Sequence, residues 1–130
     1  MKGYVFDTHA FVWYVRGRRV GRAAARALRE IDRGASRGWI PAVLAVELAL
    51  LRERRRSEIG VPELESTLER NTEIRALPLD LAQVREFALL PAVRDPFDRL
   101  IIAAARSLRC PLLSADDAIA ASGLVQVIWH

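Results

Sequence analysis

The sequence predicts an α/β protein, with a mostly parallel sheet covered by helices on both faces, and three observations support this prediction. Short apolar runs alternate with longer segments of helical periodicity along all 130 residues. No two of these runs are joined by a hairpin dipeptide such as Asn-Gly. No linker, repeat or low-complexity segment divides the chain, so we expect one domain over residues 1–130. Strands that alternate with helices need crossover connections, which make the sheet parallel.

Turn and capping residues set the bounds of the predicted elements in the first half of the chain. An apolar run ends at Asp7, and Thr8 begins a helix that closes at Gly17. Gly34 ends a second helix, which has the sequence RAAARALREIDR. The predicted strands here are residues 2–6 and 38–41, and the predicted helices are residues 8–17, 22–33, 42–56 and 61–70.

Asp80 and two prolines organise the second half of the chain. Asp80 is placed to cap a helix, because a carboxylate accepts hydrogen bonds from the free N–H groups of a first turn. Residues 91–96, which begin and end with proline, form a predicted loop. The predicted strands here are residues 72–79, 111–113 and 125–129, and the predicted helices are residues 81–90, 97–109 and 117–121.

The composition excludes several classes of protein. A single cysteine, Cys110, excludes a disulfide framework and a cysteine-based zinc site. The longest apolar run is interrupted by Pro41 and Glu47, so no segment reaches the roughly 18 residues of a membrane span. Asp7 interrupts the N-terminal apolar run before it reaches the length of a signal peptide. We therefore expect a cytoplasmic protein with no membrane partner.

Positive charge is carried almost wholly by arginine. The net charge is +4, and nineteen of the twenty basic residues are arginine. An arginine side chain holds phosphate or carboxylate through two parallel hydrogen bonds, although arginine richness is also typical of a GC-rich genome or a thermophile. The second predicted helix has a basic face, formed by Arg22, Arg26, Arg29 and Arg33. This face either follows an RNA backbone, contacts an acidic partner or is simply solvated.

Two carboxylates follow predicted strands. Asp7 ends the first strand and Asp116 follows the fourth, so parallel pairing would place both at the same edge of the sheet. Ligands bind at this edge in open parallel sheets, next to the point where strand order reverses. Each residue is also a good helix N-cap, which is the structural alternative.

A third carboxylate, Glu47, interrupts the apolar helix VLAVELALL. Its helical neighbours at three and four residues are all apolar, which predicts a buried position. A buried, unpaired carboxylate costs several kcal/mol, so a positive or hydrogen-bonding group should meet it. An ion pair with Arg54 is the structural alternative to a functional role.

The segment RDPFDRLIIAAA supplies two further acids. Asp95 is a candidate N-cap ahead of Pro96, and Asp98 then lies in the first turn, where the helix dipole favours an anion. Capping alone would explain both acids. The apolar continuation of the helix predicts burial, however, which would direct Asp98 toward the same sheet edge.

Four acids in one crevice repel one another by about 4 kcal/mol for each pair at about 4 Å and an effective dielectric near 20. Divalent cations would relieve this repulsion, and ligands that are all oxygen suit Mg²⁺ or Mn²⁺. Zinc is disfavoured, since only His9, His130 and Cys110 offer nitrogen or sulfur.

The order and spacing of four motifs resemble those of a PIN domain, most closely the VapC-type ribonuclease toxins of toxin–antitoxin pairs. The motifs are DTH at residues 7–9, Glu47 within an apolar helix, DPFDRLIIAAA at residues 95–105 and LLSADD at residues 112–117. The resemblance implies a three-layer α/β/α sandwich with strand order 3-2-1-4-5. It also implies a metal-dependent endoribonuclease that uses Mg²⁺ or Mn²⁺, an antitoxin that blocks the active site, and a homodimer.

Carried over by position, the catalytic and metal-binding acids of the family correspond to Asp7, Glu47, Asp98 and Asp116. The supporting positions are Thr8, Ser114 and Asp95, of which Asp95 either assists from outside the ligand set or only caps the helix. Asp117 leaves a register one residue later open, although the S-x-D spacing favours Asp116. His9 either contacts substrate or packs at a helix start, and we assign Trp13 and Tyr14 to the core or a protein interface.

Other classes of protein fit less well. A phosphoacceptor receiver domain needs a lysine near its last strand, and Lys2 is the only lysine. Both glycine-rich nucleotide-binding motifs, G-x-x-x-x-G-K-[ST] and G-x-G-x-x-G, are absent. The remaining alternative is a catalytically silent PIN-like module that binds RNA or protein.

Overall fold

The structure is a computed structural model that describes residues 3–130, so the predicted start of the first strand at Lys2 lies outside the described residues. Within this range all twelve predicted elements are present, with bounds that shift by at most three residues. The strands are β1 (Gly3–Phe6), β2 (Arg37–Pro41), β3 (Ile74–Leu77), β4 (Leu112–Leu113) and β5 (Val127–Ile128). The helices are α1 (Thr8–Arg16), α2 (Arg22–Asp32), α3 (Ala42–Glu53), α4 (Val61–Arg70), α5 (Leu81–Ala88), α6 (Pro96–Leu108) and α7 (Asp117–Ser122).

The five strands form a parallel sheet in the order β3-β2-β1-β4-β5, which confirms the predicted order. β1 is the central strand, and all four of its residues are buried. It pairs with β2 on one side, Val5 opposite Trp39, and with β4 on the other, Val5 opposite Leu112. The chain therefore winds outward from β1 in one direction and then returns to build the other half of the sheet. This reversal opens a crevice between the carboxyl ends of β1 and β4.

Neighbouring residues of β1 contribute to two different hydrophobic clusters. Phe6 belongs to a cluster that includes Phe11 and Leu44, and Val5 belongs to one that includes Ile101. Successive side chains of a strand point to opposite faces of the sheet, so the two clusters lie on opposite faces. This arrangement confirms the three-layer architecture. Within residues 3–130 no helix combines the length and apolar character needed to cross a bilayer.

The largest difference from the predicted bounds is at the end of α3, which stops at Glu53 rather than Arg56. Arg55 has a left-handed backbone conformation, with φ of 55°. Its N–H donates to the carbonyl of Arg52 at 3.0 Å, and the N–H of Arg56 donates to the carbonyl of Leu51 at 2.9 Å. This is a Schellman motif, in which the left-handed position usually holds glycine. Because arginine occupies this position, the sequence contains no residue that would have predicted the end of α3 at Glu53.

Substitution of Arg109 by glycine should stabilise the fold. Arg109 has φ of 53° after α6, and the N–H of Cys110 donates to the carbonyl of Ala105 at 3.0 Å, as in the motif that ends α3. Glycine relieves the left-handed strain, so we expect Arg109→Gly to raise the free energy of unfolding by about 0.5–1 kcal/mol. Urea unfolding measures this change. Arg109→Ala is the control, and an equal gain from alanine would contradict the strain argument.

Candidate active site

A pocket of about 320 Å³ lies at the carboxyl ends of β1 and β4. It contains all four acids that the sequence placed in one site, together with Asp95. Its lining residues are Asp7, Thr8, His9, Trp13, Glu47, Asp95, Asp98, Ala115 and Asp116. These residues come from four separate parts of the chain, so only the folded sheet brings them together.

Asp7 connects β1 to α1 and is held from both sides. Its N–H donates to the carbonyl of Leu113 in β4 at 3.1 Å, which fixes it beside the end of that strand. Its Oδ1 accepts a hydrogen bond from the N–H of Ala10 at 2.8 Å, which caps α1. The residue is only 9% exposed. Burial raises the pKa of Asp7, whereas hydrogen bonding from Ser114 and Ala10 and the nearby His9 oppose the rise.

Asp95 and Asp116 are held by the same kind of cap. Oδ1 of Asp116 accepts hydrogen bonds from the N–H groups of Ala118 at 2.9 Å and Ile119 at 3.1 Å. Oδ1 of Asp95 accepts hydrogen bonds from the N–H groups of Phe97 and Asp98 at the start of α6. These backbone bonds all use Oδ1, so they leave Oδ2 of each carboxylate available to a cation. Asp95 and Asp116 therefore cap a helix and line the pocket at the same time, although the sequence analysis treated these two roles as alternatives.

Ser114 links two of the acids from behind the pocket. The residue is buried and does not line the pocket. Its Oγ accepts a hydrogen bond from the N–H of Asp116 at 3.1 Å, and its side chain hydrogen-bonds Asp7. Ser114 is therefore a positioning residue. Asp117 does not line the pocket, and its side chain is 92% exposed.

Glu47 is partly buried in the middle of α3 and accepts a hydrogen bond from the Thr8 hydroxyl. This bond joins two residues 39 positions apart and holds Glu47 beside the end of β1. Among the ion pairs of residues 3–130, none joins Glu47 to Arg54, so the ion-pair alternative is wrong. A hydroxyl group meets the carboxylate instead of a cation.

The pKa of Asp98 is also raised. Burial and four neighbouring carboxylates, those of Asp95, Glu47, Asp116 and Asp7, raise its pKa to about 6. Each of these contributions disfavours the charged form, because negative charge gathers here without a compensating cation. The pocket therefore has a strong electrostatic preference for a positively charged ligand.

Removal of the Asp98 charge should stabilise the protein at neutral pH. In the unfolded chain Asp98 ionises near pH 3.8, but in the folded protein only near pH 6. Stability is therefore lost as the pH rises through this window, and the loss is complete above it. After allowance for partial exposure, we expect Asp98→Asn to add about 1 kcal/mol at pH 7.5.

The pH dependence of this gain is its test. We expect the gain to shrink through the window between about pH 6 and 4 and to disappear below it, where wild-type Asp98 is protonated in both states. Thermal unfolding of wild type and variant without divalent metal, at several pH values, measures the difference. A gain of equal size at pH 3.5 and pH 7.5 would show that charge is not its cause.

The donor set fits a hard divalent cation. All the candidate ligands are oxygen atoms, which suits Mg²⁺ or Mn²⁺. In the described part of the chain, no three His, Cys, Asp or Glu side chains are already arranged as a metal site. One oxygen of each capped carboxylate is held by backbone N–H groups, and Glu47 is held by the Thr8 hydroxyl. A cation would have to draw the other carboxylate oxygens toward the centre of the pocket. The residues therefore fit such an ion in chemistry and location.

The other residues predicted from the sequence divide into two groups. His9 is exposed and lines the pocket. None of the four arginines of the α2 face lines it. Arg22 and Arg29 instead line a groove between α1 and α2, and Arg33 lines a separate cavity that also contains Tyr14. Trp13, which the sequence assigned to the core or an interface, lines the pocket while its ring packs on Trp129 at 5.3 Å between centroids.

The fold and this pocket define an α/β protein with a carboxylate site at the switch point of a parallel sheet. The family model of the PIN domain matches residues 4–123. The chain belongs to the PIN domain family, as the sequence motifs indicated. Comparison with curated proteins finds no match.

Several solved structures share the fold over almost the full chain. VapBC2 from Rickettsia felis, bound to a DNA fragment from its promoter, has a chain that matches with a TM-score of 0.72 and 11% identity, covering 98% of this chain and 99% of that one. A chain of DNA-bound VapBC from Salmonella typhimurium matches with a TM-score of 0.68 and 12% identity, covering 98% of this chain and 97% of that one. A chain of FitAcB from Neisseria gonorrhoeae matches with a TM-score of 0.65 and 18% identity, covering 95% of each chain. At these identities the likeness establishes the fold alone.

Proposed function

We propose that this protein is a cytoplasmic endoribonuclease dependent on Mg²⁺ or Mn²⁺ and the toxin of a toxin–antitoxin pair, formed by a single PIN domain over residues 1–130. The observation that carries the proposal is the convergence of Asp7, Glu47, Asp98 and Asp116 on one pocket at the switch point of the sheet. Membership of the PIN family supports a nuclease. Hydrolysis of RNA phosphodiester bonds is the reaction that this site would perform.

These four carboxylates would hold the metal ion. When bound, it supplies positive charge beside the phosphodiester and lowers the pKa of water, so hydroxide is available near neutral pH. The helix caps fix one oxygen of Asp7 and Asp116 and thereby the direction of the other. Ser114 and Thr8 are positioning residues, because Ser114 links Asp7 to Asp116 and Thr8 holds Glu47.

The rim of the pocket would contact the substrate. His9 is exposed there, and its imidazole can donate a hydrogen bond to a phosphate oxygen. Asp95, whose Oδ1 caps the start of α6, would assist from outside the ligand set. Its negative charge, close to Asp98, adds to the preference of the pocket for a cation.

We also propose a cognate antitoxin that blocks the active site, and a homodimer. Three structural neighbours support the first partner: one is described as a toxin–antitoxin complex from Klebsiella pneumoniae, and the other two are DNA-bound VapBC2 and FitAB. The chain offers apolar surface for a protein partner around α5, where the exposed side chains are Leu79, Leu81, Val84 and Leu89.

Cleavage of labelled RNA by the purified protein tests the proposed function. We expect cleavage with Mn²⁺ or Mg²⁺, none with EDTA, products with a 5′-phosphate, and growth arrest on expression that the antitoxin relieves. The alternative is a catalytically silent module that binds RNA or protein, and the intact set of acids in the pocket argues against it. RNA that is bound but remains intact with either metal would support this alternative.

A further inference from the structure

We propose that the groove between α1 and α2 binds the backbone of single-stranded RNA as the strand leaves the candidate active site, with Arg18 as the first contact outside the pocket. The choice of RNA as occupant rests on the proposed function. The groove has a volume of about 580 Å³ and includes the loop between the two helices. Its charged lining residues are Arg18, Arg19, Arg22, Arg29 and Asp32.

The four groove arginines, Arg18, Arg19, Arg22 and Arg29, are available to a ligand. All four are exposed, and no ion pair within residues 3–130 joins any of them to a carboxylate. The one acid of the groove, Asp32, is already engaged, because its Oδ1 accepts hydrogen bonds from the Tyr14 hydroxyl at 2.8 Å and from Asn71 at 3.3 Å. The groove therefore carries four arginines against one carboxylate, and none of the arginines is held by an ion pair within residues 3–130.

Trp13 and Arg18 connect the groove to the pocket. The ring of Trp13 lines the pocket, and the guanidinium carbon of Arg18 lies 5.1 Å from the ring centroid. The Arg18 N–H also donates to the Trp13 carbonyl at 3.0 Å, while Gly17, with φ of 65°, turns the chain at the end of α1. A cation–π contact of this kind holds an arginine side chain against an aromatic face. Arg18 is thereby fixed at the boundary between acidic pocket and basic groove.

The chemistry of the groove fits phosphate. A polyanion that approaches four carboxylates is repelled unless cations flank the site, and a guanidinium binds phosphate through paired hydrogen bonds. An RNA strand cut in the pocket must continue beyond it, and the groove residue Arg18 contacts Trp13 of the pocket lining. An acidic protein segment would be repelled by the carboxylates of the pocket and has no bond to be cut there, so RNA is the favoured occupant.

The proposal assigns different roles to arginines of the same helix face. Arg22 and Arg29 line the groove with Arg18 and Arg19, whereas Arg26 and Arg33 do not line it. This division provides a matched control, since a variant that loses two groove arginines and a variant that loses Arg26 and Arg33 change the net charge by the same amount.

The test is the salt dependence of RNA binding, measured with the whole protein in EDTA so that cleavage plays no part. A labelled single-stranded oligoribonucleotide of mixed sequence is the probe, at salt concentrations from about 50 to 200 mM. For single strands the slope of log K against log salt is about −0.7 for each phosphate contact. We expect the Arg18→Gln, Arg29→Gln double variant to have a slope shallower by about 1.4. The Arg26→Gln, Arg33→Gln double variant should keep the wild-type slope.

Trp13 has a separate test as the residue that positions Arg18. We expect Trp13→Leu to make the slope shallower by about 0.7, and Arg18→Gln to cause no further change when it is added to Trp13→Leu. A general loss of folding would lower affinity without this non-additivity. Additive effects of the two substitutions would overturn the positioning role.

Three outcomes would overturn the groove proposal. The first is an equal slope for the two arginine-pair variants, and the second is no binding of the probe by the wild-type protein. The third is an Arg18, Arg29 variant that keeps its RNA binding and instead loses the antitoxin, which would assign the groove to a protein partner. Because binding is measured without metal, a protein that never cuts RNA but shows the expected slopes would overturn the proposed nuclease and leave the groove intact.

Discussion

Substitution of Asp116 by asparagine should reduce RNA cleavage by more than about 100-fold while the protein remains folded. Loss of a group that merely supports a metal ligand costs about 10–100-fold, and a ligand itself should cost more. Asparagine is nearly isosteric and is itself a good N-cap. Its side-chain oxygen can still accept the hydrogen bonds from Ala118 and Ile119 that begin α7. The substitution therefore removes negative charge from the pocket without removing the helix cap.

The neighbouring residue provides the control for this prediction. Asp117 also precedes Ala118, but its exposed side chain lies 3.7 Å from His130 and outside the pocket. We expect Asp117→Asn to cleave RNA at the wild-type rate. Initial rates with Mn²⁺, together with thermal unfolding of both variants, make the comparison. Equal rates for the two variants, or loss of activity in Asp117→Asn alone, would contradict the assignment of Asp116 to the site.

The second large effect is on stability, at a position that carries no side chain. Gly38 lies in β2, and a Cβ built on it would be 2.8 Å from Cε2 of Phe6 and 3.2 Å from Cδ1 of Ile31. The Phe6 ring is fully buried and packs against the rings of Phe11 and Tyr14, with centroids 6.1 and 5.8 Å away. It has no free space into which to move. We expect Gly38→Val to lower the free energy of unfolding by about 3 kcal/mol.

A second substitution distinguishes overpacking from other causes of this loss. Leucine at position 6 is shorter than phenylalanine and leaves room beside residue 38. We expect Phe6→Leu to recover at least about 1 kcal/mol in the Gly38→Val background, although the same change destabilises the wild-type protein. Urea unfolding of the four proteins gives the coupling free energy. Purely additive losses would mean that the close approach to Phe6 is not the cause.

Local signals were sufficient to predict the twelve elements and their order. Asp80 caps α5 as predicted, since its Oδ1 accepts a hydrogen bond from Gln83 at 2.9 Å. The predicted bounds were wrong where a helix ends without the glycine that is typical of a helix C-terminus. Arg55 takes the left-handed position in which glycine would have given a signal, and α3 ends three residues early.

The sequence predicted which acids form the candidate site, but it did not predict the contacts that hold them in place. Asp7 and Asp116 follow strands whose carboxyl ends meet, so their proximity follows from parallel pairing. The sequence treated helix capping as a competitor of site membership. In the structure each carboxylate has two oxygens and the cap uses Oδ1, so one residue serves both purposes.

The sequence by itself determined the alternation of strands and helices, the parallel sheet and the placement of acids at strand ends, because periodicity and capping are interactions between residues close along the chain. Only the tertiary structure decided which group meets Glu47, how far the pKa of Asp98 rises, and that Trp13 and Arg18 connect the pocket to a basic groove. These features depend on contacts between distant segments and on burial, and both are fixed by packing that no local pattern encodes.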